Sequence, residues 1–213
     1  MTIRSQPIVN FVVRITLLIP RLWGLRRKRQ SKMISQKADI LRALVRPAAA
    51  SSDFDLNPEF AGRVAPVRDA GVLVPLIERP SGVHLVLTKR AAHLAAHPGQ
   101  IAFPGGKHDA QDVDITATAL REAYEETGLS PELVRVLGHL PSHDTVTGFK
   151  VTPTIGWISE PWQVKADPGE VEEVFEVPLR HVLHLANFHV QKRIWNGQNR
   201  AYYTVPYGPY YIW

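Results

Sequence analysis

Three glutamates lie close together in residues 121–128, which read Arg-Glu-Ala-Tyr-Glu-Glu-Thr-Gly. Glu122, Glu125 and Glu126 are spaced i, i+3 and i+4, so their carboxylates share one face of a helix. Like charges at this spacing repel one another unless a positive charge lies among them. Carboxylate oxygens suit a hard cation such as Mg²⁺ or Mn²⁺, which keeps open positions for water and substrate phosphate. The segment therefore predicts a site for phosphate chemistry.

The alternative interpretation is a solvated helix face that carries three acids. The preceding residues 103–106 argue against it because they read Phe-Pro-Gly-Gly. A glycine pair adopts backbone conformations closed to other residues and brings carbonyl groups close to a metal ion or phosphate. We therefore interpret the loop and the helix as one unit.

Residues 115–127 are predicted to form the helix that carries the glutamates. They contain neither Gly nor Pro, and Gly128 is a natural helix stop. Candidate N-caps precede the stretch, and four of its side chains are expected to face a core. The caps are Asp109, Asp112 and Asp114, and the core candidates are Leu120, Ala123, Tyr124 and Thr127.

A Gly-rich loop followed by Arg-Glu-x-x-Glu-Glu-x-Gly resembles the Nudix box, the signature of hydrolases that cleave a nucleoside diphosphate linked to another moiety. One residue more than usual lies between Gly106 and Arg121, and the first acidic position of the box falls on Asp112 or on no residue. The matching positions are Gly106, Arg121, Glu122, Glu125, Glu126, Gly128 and Leu129.

A second resemblance is to the coenzyme A pyrophosphatase subgroup, which also tends to carry the longer loop. Residues 87–91 and 99–106 are similar to the subgroup motif, and residues 144–153 and 170–179 fit it as well. The likeness spans about residues 70–213. One position departs from it, because Ala95 stands where the subgroup usually has an Arg.

The resemblance implies which residues hold the metal and activate water. Glu122, Glu125 and Glu126 would bind Mg²⁺ or Mn²⁺, with the Gly105 carbonyl as a further ligand. Glu125 and Glu126 thus belong to the catalytic centre, and Glu170 resembles the late acidic residue that many relatives use as general base. Glu172 and Glu173 lie next to Glu170, and spacing alone does not choose among the three.

Other side chains near the motifs are candidates for positioning or for substrate binding. Arg121 is placed to pair with Glu125 at i+4 and orient it. Lys89, Arg90 and Gln100 offer the cationic and hydrogen-bonding groups that a coenzyme with several phosphates needs, the alternative being a solvated strand end. Ordinary loop or core roles are predicted for five further residues: His97, His143, Trp157, Trp162 and Tyr202.

The charge of the chain is concentrated at its start. The whole sequence carries +5 with a pI near 9.6, yet residues 1–32 contain eight Lys or Arg and no acid. A nucleic-acid partner is therefore not predicted for the remainder. This leader is too short and too polar for a convincing transmembrane helix. It is interpreted as a presequence, a membrane-surface helix or, as we favour, translated sequence before a start at Met33.

Composition and order indicate one α/β domain. The absence of cysteine excludes disulfides and thiol nucleophiles. We divide the chain into the leader 1–32, a helix and loop at 33–66 with the helix at 34–45, and a Nudix domain at 67–213. Strands are predicted at 71–77, 83–88, 133–140, 151–158, 171–177, 188–195 and 200–206, with a short helix at 178–186.

The fold expected from this order is an α/β/α sandwich of the Nudix type. A mixed sheet is favoured because no regular βαβ alternation appears. The C-terminal helix of the subgroup is expected to be absent, since the sequence ends in Tyr-Tyr-Ile-Trp.

Several functions remain open at this level. The leading hypothesis is a cytoplasmic enzyme that hydrolyses coenzyme A or its thioesters to 3′,5′-ADP and 4′-phosphopantetheine. The same chemistry on ADP-ribose, a dinucleotide or a nucleoside triphosphate is the first alternative. A non-catalytic nucleotide-binding module and a nucleic-acid regulator that uses the leader are the others. Stable membrane insertion is not expected, and a homodimer is left open.

Overall fold

The computed structural model describes residues 37–60, 67–95, 97–195 and 197–213. Within them lie helices α1 (Lys37–Leu44), α2 (Ile115–Thr127) and α3 (Leu179–Val182). The strands are β1 (Ser51–Ser52), β2 (Arg68–Arg79), β3 (Gly82–Arg90), β4 (Ile101–Ala102), β5 (Gly105–Lys107), β6 (Val134–His139), β7 (His143–Asp144), β8 (Phe149–Ile158), β9 (Val171–Pro178), β10 (His189–Trp195), β11 (Gln198–Tyr207) and β12 (Tyr210–Ile212).

A nine-stranded mixed sheet forms the centre of the fold, with the path β1-β7-β8-β2-β3-β4. Strand β2 pairs with β8 in parallel and with β3 antiparallel, and a tight turn joins β2 to β3 as a hairpin. Three strands lie off this path: β5 pairs with β2, β6 with β8, and β9 with β3. The prediction of a mixed sheet is therefore confirmed.

Both faces of the sheet are covered, because side chains of β2 alternate between two hydrophobic clusters. Leu73 and Ile77 pack with Ala119 and Ala123 of α2 on one face. On the other face a second cluster receives Ile40 of α1, Val205 of β11 and Ile212 of β12, together with Val72, Val74 and Leu76. The layered α/β/α arrangement expected from the sequence is confirmed.

Beyond Asn187 the described residues form strands. Strands β10, β11 and β12 make a second, antiparallel sheet, whose first two strands match the prediction and whose third was not predicted. The predicted helix at 34–45 is observed as α1, its first three residues lying outside the described ranges. No helix in the described ranges is long and apolar enough to span a membrane, and the leader lies outside them.

A buried polar cluster joins the segment before β2 to the two sheets. Asp53 accepts hydrogen bonds from Arg200 Nη2 at 2.8 Å and from the backbone N–H of Val146 at 3.0 Å. Its other oxygen lies 3.3 Å from Nε2 of His143, whose Nδ1 is 2.8 Å from the Ser51 hydroxyl. Burial lowers the pKa of Arg200, and Asp53 opposes that shift. His143, predicted to be an ordinary loop residue, is instead buried in this cluster.

Candidate active site

Helix α2 begins and ends where the sequence predicts. Asp114 is the N-cap, and its Oδ1 accepts a hydrogen bond of 2.8 Å from the N–H of Ala117. Gly128 closes the helix in the left-handed conformation with φ 71°, and its N–H donates to the carbonyl of Tyr124. Of the three candidate caps, Asp114 is therefore the N-cap, because its side chain accepts a hydrogen bond from an open N–H group of the first turn.

The buried stripe of α2 contains two of the three glutamates. Ala119, Glu122, Ala123 and Glu126 follow one another at helical spacing and all are buried, with Glu122 1% and Glu126 4% exposed. The Glu125 side chain is 52% exposed. The expectation that Tyr124 faces the core is wrong: it lies off this stripe and is 55% exposed.

Glycines allow the acidic helix to lie directly against the sheet. A Cβ at Gly106 of β5 would overlap the carboxyl group of Glu122. A Cβ at Gly71 of β2 would stand 2.6 Å from the carbonyl oxygen of Ile115, at the start of α2. A Cβ at Gly105 would meet the backbone of β2, at 2.6 Å from the oxygen of Gly71. These glycines are thus required for close approach of backbone and carboxylate.

Arg121 is the centre of an ion-pair network on the solvent side of this stripe. Its Nη1 donates to Oε1 of Glu122 and to Oε2 of Glu125, both at 3.1 Å, as the i+4 spacing predicted for Glu125. Its Nε and Nη2 each donate to one oxygen of Asp112 at 2.9 Å. The contact between Arg121 and Asp112 is not predicted by the sequence, which indicates Asp112 only as a candidate N-cap or as the first acid of the box.

The Asp112 carboxylate is buried and charged. Its side chain is 5% exposed, and it accepts further hydrogen bonds from the Thr118 hydroxyl and from the N–H of Asp109. Hydrogen bonds from Arg121 hold the pKa of Asp112 well below its usual range, although burial acts in the opposite direction. The same contact raises the pKa of Arg121. Asp112 therefore fixes the guanidinium that orients Glu122 and Glu125.

The positive charge among the glutamates is, in this conformation, the guanidinium of Arg121. Within the described ranges no three acidic or histidine side chains already stand in metal-binding geometry. The donors nevertheless fit a hard cation, because Glu122 and Glu126 are carboxylates held in place by burial, and the Glu122 carboxyl group occupies the space that a Cβ at residue 106 would need. Mg²⁺ or Mn²⁺ suits such an oxygen-only set.

Glu170 lies in the loop between β8 and β9, which is hydrogen-bonded to α2 and to the residue that follows β3. The loop is tied to α2 by the N–H groups of Lys165 and Asp167, which donate to the carbonyls of Thr127 and Glu126. At the other end of the loop, the Glu170 carbonyl accepts a hydrogen bond of 2.9 Å from the N–H of Ala91. Its two acidic neighbours have partners of their own: Glu172 pairs with Lys89, and Glu173 accepts from the Tyr210 hydroxyl, both at 2.6 Å. The structure thus places Glu170 in a segment whose backbone is hydrogen-bonded both to α2 and to the end of β3.

The three predicted substrate residues separate into a pair and a single residue. Lys89 and Gln100 line one pocket of about 280 Å³, because β3 and β4 pair Lys89 with Ile101. Arg90 is 7% exposed and lies outside that lining. Gln100 Nε2 donates at 2.6 Å to Nδ1 of His97, whose pKa is lowered by burial and by the charge of Arg90. A neutral His97 can therefore accept this bond and orient Gln100.

Comparison with known proteins assigns the family. Residues 67–200 match the model of the NUDIX domain. The chain belongs to the Nudix family. It is 43% identical over 161 residues to a protein named uncharacterized Nudix hydrolase NudL from Enterobacter sp. (strain 638), covering 74% of this chain and 82% of that relative. A relative of the same name from Salmonella dublin is 42% identical over 160 residues with the same coverage.

Among solved structures, the Nudix hydrolase RenU from M. smegmatis aligns with a TM-score of 0.45 at 25% identity, covering 53% of this chain and 71% of RenU. Nudix hydrolases act on diphosphate bonds and generally use divalent metal ions such as Mg²⁺, so hydrolysis of a diphosphate linkage is the chemistry of this family. The names of the NudL relatives state no substrate.

Proposed function

We propose that this Nudix protein is a Mg²⁺- or Mn²⁺-dependent hydrolase that splits the diphosphate of coenzyme A or of an acyl-CoA into 3′,5′-ADP and 4′-phosphopantetheine or its acyl form. One observation carries the substrate assignment. The motif that resembles the coenzyme A subgroup contributes Lys89 and Gln100 to a single pocket, and its last glycine, Gly106, lies against Glu122. The motif thus supplies both a binding surface and part of the acidic site.

The chemistry to be accelerated defines what the site must do. A diphosphate resists attack because its negative charge repels nucleophiles, so catalysis depends on neutralising that charge and supplying hydroxide. A bound divalent ion supplies both when held by Glu122, Glu126, Glu125 and the Gly105 carbonyl. Reaction then joins the water oxygen to phosphorus, breaks the bridging P–O bond and leaves its electron pair on the departing phosphate.

The protein positions these groups through contacts that are present. Glu122 and Glu126 lie on successive turns of α2 and are buried, so their carboxylates keep fixed directions. Arg121 orients Glu122 and Glu125, and Asp112 holds Arg121 in turn. In this proposal Glu170 accepts the proton of the attacking water from a loop that is anchored to both α2 and β3.

Product analysis tests the proposal. Purified protein is incubated with Mg²⁺ and, separately, with coenzyme A, ADP-ribose, NADH and a nucleoside triphosphate, and the products are identified by mass spectrometry. We expect 3′,5′-ADP and phosphopantetheine from coenzyme A, and their absence with Glu126→Gln. Cleavage of another substrate in its place leaves only the broader Nudix activity. If no substrate is cleaved, a non-catalytic nucleotide-binding module is the better account.

A further inference from the structure

The pocket that contains Lys89 and Gln100 lies on the face of the sheet opposite to α2. Along β3, Leu85 and Leu87 belong to the cluster that receives α1 and β12, whereas Val86 packs with the alanines of α2. Alternation along the strand places Lys89 on the side of Leu85 and Leu87. The second sheet and the residue that follows it cover this face, and four aromatic residues complete the pocket with Arg193: Tyr202, Tyr210, Tyr211 and Trp213.

The aromatic wall of this pocket is preformed. The rings of Tyr202 and Trp213 meet edge to face with centroids 5.0 Å apart. Tyr210 is stacked on Phe175 at 3.9 Å, and its hydroxyl is held by Glu173. Rigid aromatic rings of this kind stack on nucleobases of any sequence, because every base has a π face.

Arg193 is the cation of the pocket that is not committed to an acid. Lys89 is paired with Glu172 at 2.6 Å, whereas no ion pair joins Arg193 to any acid in the part of the chain that the structure describes. Its guanidinium lies 5.8 Å from the centroid of the Trp213 ring. A guanidinium beside an aromatic wall offers two-point hydrogen bonding to a phosphate next to a stacking surface.

The pocket is also within reach of the acidic site. Gln100 lines the pocket and Gly105 lies at the start of β5, so the five Cα–Cα steps from one to the other span at most about 18 Å. A ligand that occupies both sites has to reach from one face of the sheet to the other, because α2 and the pocket lie on opposite faces. It must therefore extend well beyond the diphosphate that is cleaved.

We propose that this pocket binds the nucleotide end of the substrate, with the base stacked on the aromatic wall and a phosphate outside the scissile diphosphate held by Arg193. The inference rests on the proposed function for the identity of the substrate. For coenzyme A the phosphate is the 3′-phosphate.

Binding of a product-like ligand tests this assignment without any turnover. Isothermal titration in the presence of a chelator compares 3′,5′-ADP with 5′-AMP, which lacks only the 3′-phosphate. We expect Arg193→Gln to weaken 3′,5′-ADP binding about tenfold and to leave 5′-AMP binding unchanged. The matched control is Lys192→Gln, which removes the neighbouring exposed charge of the same strand and should change neither affinity.

The outcomes separate this inference from the proposed function. If Arg193→Gln binds 3′,5′-ADP as the wild-type protein does, or if the wild-type protein does not prefer 3′,5′-ADP to 5′-AMP, the pocket assignment is wrong even where coenzyme A is hydrolysed. If binding depends on Arg193 but coenzyme A is not cleaved, the pocket assignment stands and the proposed activity falls. In the active enzyme, Arg193→Gln should raise KM for coenzyme A and leave kcat within about twofold.

Discussion

Asp112 and Arg121 form a two-point ion pair, with Nε to Oδ1 and Nη2 to Oδ2 both at 2.9 Å. The loop residue Asp112 thus fixes the side chain of Arg121, nine positions later on the helix, and Arg121 in turn contacts Glu122 and Glu125. Loop and helix therefore act as one unit.

We expect Asp112→Asn to lower the free energy of unfolding by about 2 kcal/mol at neutral pH, because charged hydrogen bonds to Arg121 are lost. The folded-state pKa of Asp112 is depressed, so the stabilisation is present above the unfolded pKa of about 3.9 and is lost as the pH falls through the folded value. Urea unfolding near pH 7 and near pH 2 measures both effects. Wild type and variant should differ less in acid.

The matched control for this experiment is Asp109→Asn. Asp109 lies 3.7 Å from Arg121, and its side chain is 57% exposed, so its contribution should be below about 1 kcal/mol. An equal loss of stability in the two variants, or a loss for Asp112→Asn that does not shrink in acid, would contradict the role given to the buried pair.

Gly105 and Gly106 are expected to respond differently to alanine. The added Cβ of Gly106→Ala meets the Glu122 side chain, so turnover should fall by about 10², the cost of displacing one preorganised group. The Cβ of Gly105→Ala meets the backbone of Gly71 and Val72, so this variant should lose more thermal stability than Gly106→Ala. Thermal melting and single-substrate kinetics compare the two. Equal melting temperatures would refute the distinction.

Local signals in the sequence predict α2 well and its environment less well. Asp114 and Gly128 mark its ends through the chemistry of caps, and both boundaries are observed. The predicted orientation of Tyr124 is wrong because α2 instead buries the stripe that contains Glu122 and Glu126. These carboxylates can be buried only where a glycine backbone lies opposite them. That partner belongs to β5 and is not visible in the helix sequence itself.

The Lys89–Gln100 pocket shows the same limit over a longer distance. The motif residues are readable from the sequence, but Arg193, Tyr202 and Trp213 join them only when β10–β12 pack over β3 and β4, about a hundred residues earlier in the chain. Aromatic residues near the end of a domain more often fill a core, so composition alone predicted packing for Tyr202. A sequence signal for the pocket did exist, because the basic residue Arg193 precedes a segment that is rich in aromatic residues.

Glu126→Gln should reduce turnover by about 10² with little change in substrate KM, since Glu126 belongs to the buried acidic stripe. We expect a comparable loss for Glu125→Gln, which also frees Arg121 from one of its partners. Glu132→Gln, at an exposed position after the helix, is the control and should be neutral. Full turnover in either of the first two variants would remove that residue from the catalytic centre.

The buried cluster around Asp53 should contribute to stability rather than to chemistry. Asp53→Asn leaves the guanidinium of Arg200, 3% exposed, without its charged partner, so the free energy of unfolding should fall by about 3 kcal/mol. The exposed neighbour of His143 provides the control, as Asp144→Asn should have an effect of at most about 0.5 kcal/mol.

A double variant distinguishes a lost ion pair from lost packing at this cluster. If the destabilisation comes from an uncompensated buried charge, Asp53→Asn combined with Arg200→Met should be less destabilised than the sum of the two single variants, because the second substitution removes the charge that the first leaves behind. Urea unfolding of the four proteins gives the coupling free energy. Strict additivity would show that Asp53 and Arg200 stabilise the fold independently, in spite of the 2.8 Å contact between them.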